Sequence, residues 1–178
     1  MVTDGGGWTL FQKRMDGSVD FYRNWTSYKD GFGDLNGEHW LGNDKIHLLT
    51  EQASYELRVD MEDADGVWAY AHYDHFALSS EAANYQLTVG TYSGTAGDSF
   101  SRHNGQVFTT KDQGPNNGQC AKTYKGAWWY QNCHSSNLNG LYHHGNHTSY
   151  ADGVNWYTFR GYHHSLKTTV MKIRPINF

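Results

Sequence analysis

The side chains best suited to chemistry in this chain are its histidines, its two cysteines and one run of acids. Eleven histidines occur, twice as adjacent pairs, His143-His144 and His163-His164, so a zinc site is the first question to ask. They lie in polar stretches, with no HExxH helix and no cysteine or carboxylate at ligand spacing, and read as surface histidines in loops. The acids gather at Asp60-Met61-Glu62-Asp63-Ala64-Asp65, directly after a strand-like run, and read as a solvated turn. No nucleophile elbow, phosphate-cradling glycine loop or framed pair of carboxylates is present, so the chain is not expected to be an enzyme. Cys120 and Cys133 are the only cysteines, which leaves one pairing open to them. If they pair, the loop of roughly 15 residues contributes about 3 kcal/mol in the chain-entropy account.

These residues need a frame. Residues 8–14 (WTLFQKR) alternate apolar and polar after a glycine turn and predict a strand. Residues 24–37, rich in Asp, Gly and Asn, read as loop. The run at 43–52 (NDKIHLLTEQ) predicts a short helix with Asn43 as its N-cap. Residues 55–61, 68–78 and 85–89 predict three further strands, and 168–174 (TTVMKIR) a last one closed by Pro175. Between 94 and 152 regular periodicity fades, and Gly, Asn, Ser and His dominate around the aromatic cluster Trp128-Trp129-Tyr130. So long a coil is uncommon in a compact domain unless it is functional.

Composition narrows the classes further. Fourteen basic against eighteen acidic side chains give a net charge of −4 with no run of either sign, so no nucleic-acid partner is expected. No apolar stretch approaches the roughly 20 residues of a membrane helix, and no membrane insertion is expected. Seven Trp, thirteen Tyr and eight Phe stand beside a mean hydropathy of −0.77, which predicts a core built from rings whose polar tips stay near partners or water. At 178 residues one domain is the default. Two sequons, Asn24-Trp25-Thr26 and Asn146-His147-Thr148, agree with a secreted or extracellular setting.

Several motifs then fall into a known order. Asp4-Gly5-Gly6-Gly7-Trp8-Thr9, Gly31-Phe32-Gly33-Asp34-Leu35-Asn36-Gly37-Glu38-His39-Trp40-Leu41-Gly42, Phe108-Thr109-Thr110-Lys111-Asp112, Gly126-Ala127-Trp128-Trp129-Tyr130, Cys133-His134, Ser136-Asn137-Leu138-Asn139-Gly140 and Met171-Lys172-Ile173-Arg174-Pro175 together resemble fibrinogen-like domains. The resemblance runs over essentially the whole chain. It implies an α+β fold, the fibrinogen C-terminal-like architecture: a central, mainly antiparallel twisted sheet, short helices and a loop-rich binding subdomain. Residues 1–178 would form one such domain lacking the family's usual N-terminal subdomain, which should precede Met1. The abrupt start is expected of an excised segment.

Site residues come with the resemblance. In pocket residues the chain is most similar to acetyl-binding lectins, the tachylectins and ficolins. That similarity implies a ligand-binding set of Tyr124, Asn132, Cys133, His134, Tyr150, Ala151 and Tyr162. It also implies a Cys120–Cys133 disulfide and a cis Asn132–Cys133 peptide. A small apolar pocket would take the methyl of an N-acetyl group, and backbone N–H groups beside Cys133 would hold its oxygen. Such a pairing is physically sensible, because aromatic walls exclude water while fixed amides select an acetyl over an isosteric alkyl group. The family's calcium loop is shortened here to Asp112-Gln113-Gly114-Pro115-Asn116-Asn117-Gly118-Gln119-Cys120, leaving Asp112 and Asn116 as candidate metal ligands. Ca²⁺ is thus a candidate cofactor that the loss of carboxylates argues against, since it wants six to eight oxygens, several of them anionic. The expected partners are acetylated glycans, carried on cell-surface or matrix glycoproteins, with homo-oligomers supplying avidity. The rival expectation is an adhesion or signalling ligand of tenascin or angiopoietin type, acting by protein–protein contacts.

Overall fold

The computed structural model describes residues 5–177; residues 1–4 and 178 lie outside it, and with them the first residue of the motif at 4–9. Along the chain come β1 (Thr9–Arg14), α1 (Trp25–Asp30), β2 (Phe32–Gly33), β3 (His39–Trp40), α2 (Asn43–Gln52), β4 (Tyr55–Glu62), β5 (Trp68–Leu78), β6 (Leu87–Val89) and β7 (Tyr92–Gly94). A loop-built half follows, with α3 (Gln119–Tyr124), the two-residue strands β8 (Ser136–Asn137), β9 (Gly145–Asn146) and β10 (Asn155–Trp156), α4 (Tyr157–Arg160) and β11 (His164–Ser165). The long strand β12 (Thr168–Pro175) then returns to the middle of the main sheet, whose order is β2-β3-β1-β12-β4-β5-β6 with β7 also on β5. Among the described residues every pair of named strands is antiparallel. The α+β expectation therefore holds.

The strands follow their side-chain pattern. Tyr55, Leu57, Val59 and Met61 of β4 are all buried, at period two. In β5 the buried set starts as Ala69, Ala71 and Tyr73 and changes parity to Phe76 and Leu78, where the pairing with β4 shifts register. At that bulge the Asp74 carboxylate accepts the Thr91 N–H at 2.7 Å. Gly90 permits the approach, since a Cβ there would stand 2.1 Å from Asp74 Oδ1.

Four local expectations change. The stretch 24–37 contains α1, because the Asn24 side chain accepts the Ser27 N–H at 3.0 Å as N-cap while Trp25 and Tyr28 turn inward. Asn43 does not cap α2; Gly42 does, and Asn43 Oδ1 instead accepts the Trp40 indole N–H at 3.1 Å. The strand expected at 85–89 begins only at Leu87, since Tyr85 takes a positive φ of 51°. Pro175 is the last residue of β12 rather than a stop beyond it.

Between sheet and coil lies a ring-filled core. Trp40, Phe76, Phe100, Phe108, Trp128, Trp129 and Trp156 are all buried. The indole N–H groups there find acceptors: Trp129 on Tyr85 O at 2.9 Å, Trp156 on Gly97 O at 2.9 Å and Trp128 on Ser136 Oγ at 3.2 Å.

Two polar side chains of β1 fasten the coil to the sheet. Gln12 donates to Leu138 O at 3.0 Å and Asn139 Oδ1 at 3.1 Å, and accepts from the Thr169 hydroxyl of β12 at 2.8 Å. Arg14 Nη1 donates to Leu138 O at 2.9 Å and Gly140 O at 2.8 Å, with its guanidinium 4.1 Å from the Phe21 ring centroid. Burial holds the Arg14 guanidinium down at about 10, still charged at neutral pH. Gln12→Leu keeps the shape but leaves Asn139 Oδ1 and the Thr169 hydroxyl without the partner described, and Leu138 O with Arg14 alone, so it should cost about 3 kcal/mol. Urea unfolding checks this as a lowered midpoint at unchanged slope.

Candidate functional site

The second half folds around one buried amide. Asn137 Nδ2 donates to Tyr124 O at 3.0 Å and Gly153 O at 3.2 Å, while its Oδ1 accepts the Tyr130 hydroxyl at 2.5 Å. Segments far apart in sequence are thereby held at one point. Cys120 in α3 and Cys133 form a disulfide with their Cα atoms 5.5 Å apart. The Asn132–Cys133 peptide is cis, the isomer the resemblance implies.

From this frame the residues Tyr124, Asn132, Cys133, His134, Tyr150, Ala151 and Tyr162 converge on a single cavity of about 140 Å³, with Arg102 as an eighth wall. A closed circuit of hydrogen bonds fixes three of them. The His134 ring donates from Nε2 to Ala151 O at 2.8 Å, Ala151 N donates to Tyr162 O at 3.1 Å, and the Tyr162 hydroxyl donates to His134 O at 2.9 Å. Ala151 is buried at a φ of 60°, which leaves a small side chain between Tyr150 and Asp152. Tyr124 and Tyr162 meet the His134 ring edge-on, at centroid distances of 4.9 and 5.5 Å. Among the described residues no protein acceptor meets the backbone N–H of Cys133 or of His134.

The lining differs from the apolar pocket expected. The rings of Tyr124, His134, Tyr150 and Tyr162 pack edge to face on one another, and the cavity exposes mostly polar atoms. Arg102 was not foreseen. It comes from the 3₁₀ turn Ser101–His103, far upstream in unpatterned coil, and its guanidinium holds Gln131 Oε1 at 3.2 Å, Gln131 O at 3.1 Å and Asn132 O at 3.2 Å. A broader hollow of about 390 Å³ lies elsewhere, between Met15, Ala64 and Tyr142, and holds none of the eight.

Two neutral histidines sit under the site. A carbonyl only accepts, so His103 Nδ1 carries the proton donated to Trp129 O at 2.8 Å. Its Nε2 accepts the Ser135 N–H at 3.2 Å, which leaves no room for a second proton. Burial pushes both His103 and His134 down to about 4 from an ordinary 6.5, against the opposing pull of their carbonyl partners.

Asp112 and Asn116 bring one carboxylate between them. Asp112 Oδ1 accepts the Trp25 N–H at 2.9 Å and the Thr110 hydroxyl at 2.7 Å, joining this loop to α1. Asn116 lies in the turn Pro115–Gly118 at a φ of 53° and lines a different hollow, with Cys120 and Tyr130. One carboxylate, already hydrogen-bonded twice, is a poor donor set for Ca²⁺. The acid run is structural, and part of it is not solvated. Asp63 is buried and accepts the N–H groups of Asp65 and Val67 at 2.9 Å while pairing with Arg160 at 2.7 Å.

Comparison with known proteins agrees with this architecture. The family described as fibrinogen beta and gamma chains, C-terminal globular domain, matches residues 1–176. The chain is 57% identical to mouse Fibrinogen C domain-containing protein 1 over 99% of its own length, and 56% identical to the human protein over the same share. It spans 40% of the length of each of those relatives. The fibrinogen-like globe domain of human ANGPTL2 superposes with a TM-score of 0.95 at 51% identity, covering 98% of this chain and 82% of that one. Lamprey fibrin D-dimer, solved with the peptide ligand Gly-His-Arg-Pro-amide, gives 0.92 at 39% identity, covering 99% and 64%.

Two outcomes follow from the site's electrostatics. An unfolded histidine binds its proton near 6.5, whereas folded His103 and His134 resist until about 4. Their contribution to stability is complete above pH 6.5 and declines as the pH falls toward 4. Calorimetry across that window should show a falling melting temperature, and a flat profile would overturn the assignment. Millimolar Ca²⁺ should leave the melting temperature nearly unchanged, because only a tight site raises stability appreciably by mass action. A large rise that EDTA removes would show a better donor set than Asp112 and Asn116 offer.

Proposed function

The chain belongs to the family of fibrinogen C-terminal globular domains, and from that membership we propose that its cavity recognises the N-acetyl group of carbohydrates. The observation that carries this reading is the convergence of Tyr124, Asn132, Cys133, His134, Tyr150, Ala151 and Tyr162 on one small cavity. The unpaired N–H groups of Cys133 and His134 supply fixed donors for a carbonyl oxygen, while Ala151 leaves room for a methyl. We propose binding rather than catalysis, since the neutral histidines are tied to carbonyls and the hydroxyl beside His103, Ser135 Oγ at 3.5 Å from Nε2, donates its proton to Ser99 O at 2.9 Å. The mostly polar lining shifts the weight of recognition from methyl burial to hydrogen bonding.

Setting and partners fit the same reading. Among the described residues no helix is long and apolar enough to cross a membrane. Fibrinogen-like domains are typically extracellular, and we propose secretion or cell-surface display for the parent protein, with acetylated glycoproteins as partners. One small pocket binds weakly, so several copies would be needed for avidity.

A second reading has its own support. The superposition on the ANGPTL2 globe domain, and the peptide held by lamprey fibrin, favour an adhesion or signalling ligand that works through protein contacts. Calorimetric titration with two sugars separates the readings. N-acetylglucosamine should bind and glucosamine should not, because the latter's ammonium lacks the carbonyl and meets the Arg102 guanidinium. Tyr150→Ala removes a half-exposed wall and should weaken binding about fivefold, roughly 1 kcal/mol. Equal affinity for the two sugars by a folded protein would move the assignment to protein contacts.

A further inference from the structure

The histidines set aside as loop residues regain interest once the fold is known. His143, His147 and Asp152, separated by 4 and 5 positions, each bring one donor atom to within 4.8 Å of the other two. Asp152 Oδ1 lies 3.1 Å from His143 Nε2 and 3.7 Å from His147 Nδ1. Four ligands at zinc bond lengths of about 2.0–2.1 Å stand roughly 3.4 Å from one another, so two of the three edges already have the required size. The two imidazoles are stacked with centroids 4.2 Å apart, and both aim a nitrogen at the same carboxylate oxygen.

A second observation points the same way. The His147 side chain is only 6% exposed, and its Nε2 is buried without a hydrogen-bond partner. With Nε2 unmatched, Nδ1 is the ring nitrogen through which the buried His147 meets polar partners, and it is the one that faces Asp152 Oδ1 and Ser149 Oγ. Gly153 makes the arrangement feasible, since a Cβ there would lie 2.8 Å from His147 Nε2 and 3.1 Å from His143 Cδ2.

We infer that His143 Nε2, His147 Nδ1 and Asp152 Oδ1 form a binding site for a zinc-class divalent ion, with water as the fourth ligand. Imidazole and carboxylate in this ratio suit Zn²⁺ and are too few and too soft for Ca²⁺. The Ser149 hydroxyl now spans Asp152 Oδ1 at 2.7 Å and His147 Nδ1 at 3.1 Å, and it yields to the ion. Asp152 follows Ala151 directly, so the ion would brace the segment that carries Tyr150. The site itself is independent of the acetyl reading, and the probe is the metal alone.

The test is calorimetric titration of the chelator-treated protein with Zn²⁺. Wild type should take up one ion per chain, with an EDTA-reversible rise in melting temperature. His143→Gln and Asp152→Asn should each weaken binding by about tenfold to a hundredfold. His144→Gln, an exposed neighbour outside the cluster, should bind as wild type does. Paramagnetic Co²⁺ added to the wild-type protein should broaden the NMR signals of His143, His147 and Asp152 first, which keeps the test valid if a variant fails to fold. Absence of saturable uptake, uptake unchanged in both ligand variants, equal loss in His144→Gln, or broadening centred elsewhere would each overturn the site.

Discussion

A half-domain built from coil has no ladder in which to retire its backbone N–H and C=O groups, and the buried amides that replace the ladder are what the rest of this structure depends on. Every such group taken from water needs a partner. Asn137 serves Tyr124, Gly153 and Tyr130; Asn139 Nδ2 takes Ala127 O at 2.9 Å; Asn155 Nδ2 takes His164 O at 3.1 Å. Gln12 and Arg14 do the same from the sheet side. An amide is suited to this work because it donates and accepts at once, in fixed directions. The irregular backbone is therefore as determined as a strand, with some partners 7 to 16 positions along the chain and others, on Gln12 and Arg14, more than a hundred positions away.

Aromatic rings solve the complementary problem of volume. Two-residue strands and short helices present no continuous apolar face, so small aliphatic side chains would leave gaps between sheet and coil. Phe100 touches Trp128, Trp129 and Trp156 at centroid distances of 5.5 to 6.3 Å, and Phe108 meets Trp129 edge-on at 5.2 Å. Large rings bridge such distances, and their N–H and O–H groups reach the carbonyls that coil leaves over. This reconciles a strongly negative mean hydropathy with a dense core: the apolar area comes from side chains that also hydrogen-bond.

What the sequence revealed follows from where periodicity exists. The strands β4, β5 and β12 were legible because one face is buried, and alternation records that directly. The helix α1 was not, since Asn24 and Asp30 look like loop residues until Trp25 and Tyr28 are seen to point inward. Asn43 misled for a related reason: its side chain suits an N-cap equally well, but the Trp40 indole claims it. The cavity residues carry no local signal, being scattered from 124 to 162, and only resemblance gathers them. Arg102 had neither kind of signal. The His143–Asp152 grouping was hidden because ligand spacing is usually judged on a helix or a tight loop. Here the loop from Leu141 returns so that Leu141 N donates to Asp152 O at 2.9 Å, which brings the donors together.

The same distinction bears on what the cavity can select. His134 Nε2, Ala151 N and the Tyr162 hydroxyl spend their donors on one another. His103 likewise spends its proton on Trp129 O and its lone pair on the Ser135 N–H. The cavity is lined by the residues of two backbone N–H groups without a protein acceptor and by the charge of Arg102, beside the hydroxyls of Tyr124 and Tyr150 and the Asn132 amide, so acceptors on a ligand have donors to meet. A neutral carbonyl satisfies the amides without requiring a counter-ion in the cavity, whereas a cation meets a guanidinium already fixed on Gln131 and Asn132. The selectivity proposed for this site thus rests less on the shape of its walls than on which of its polar groups the fold has left unspent.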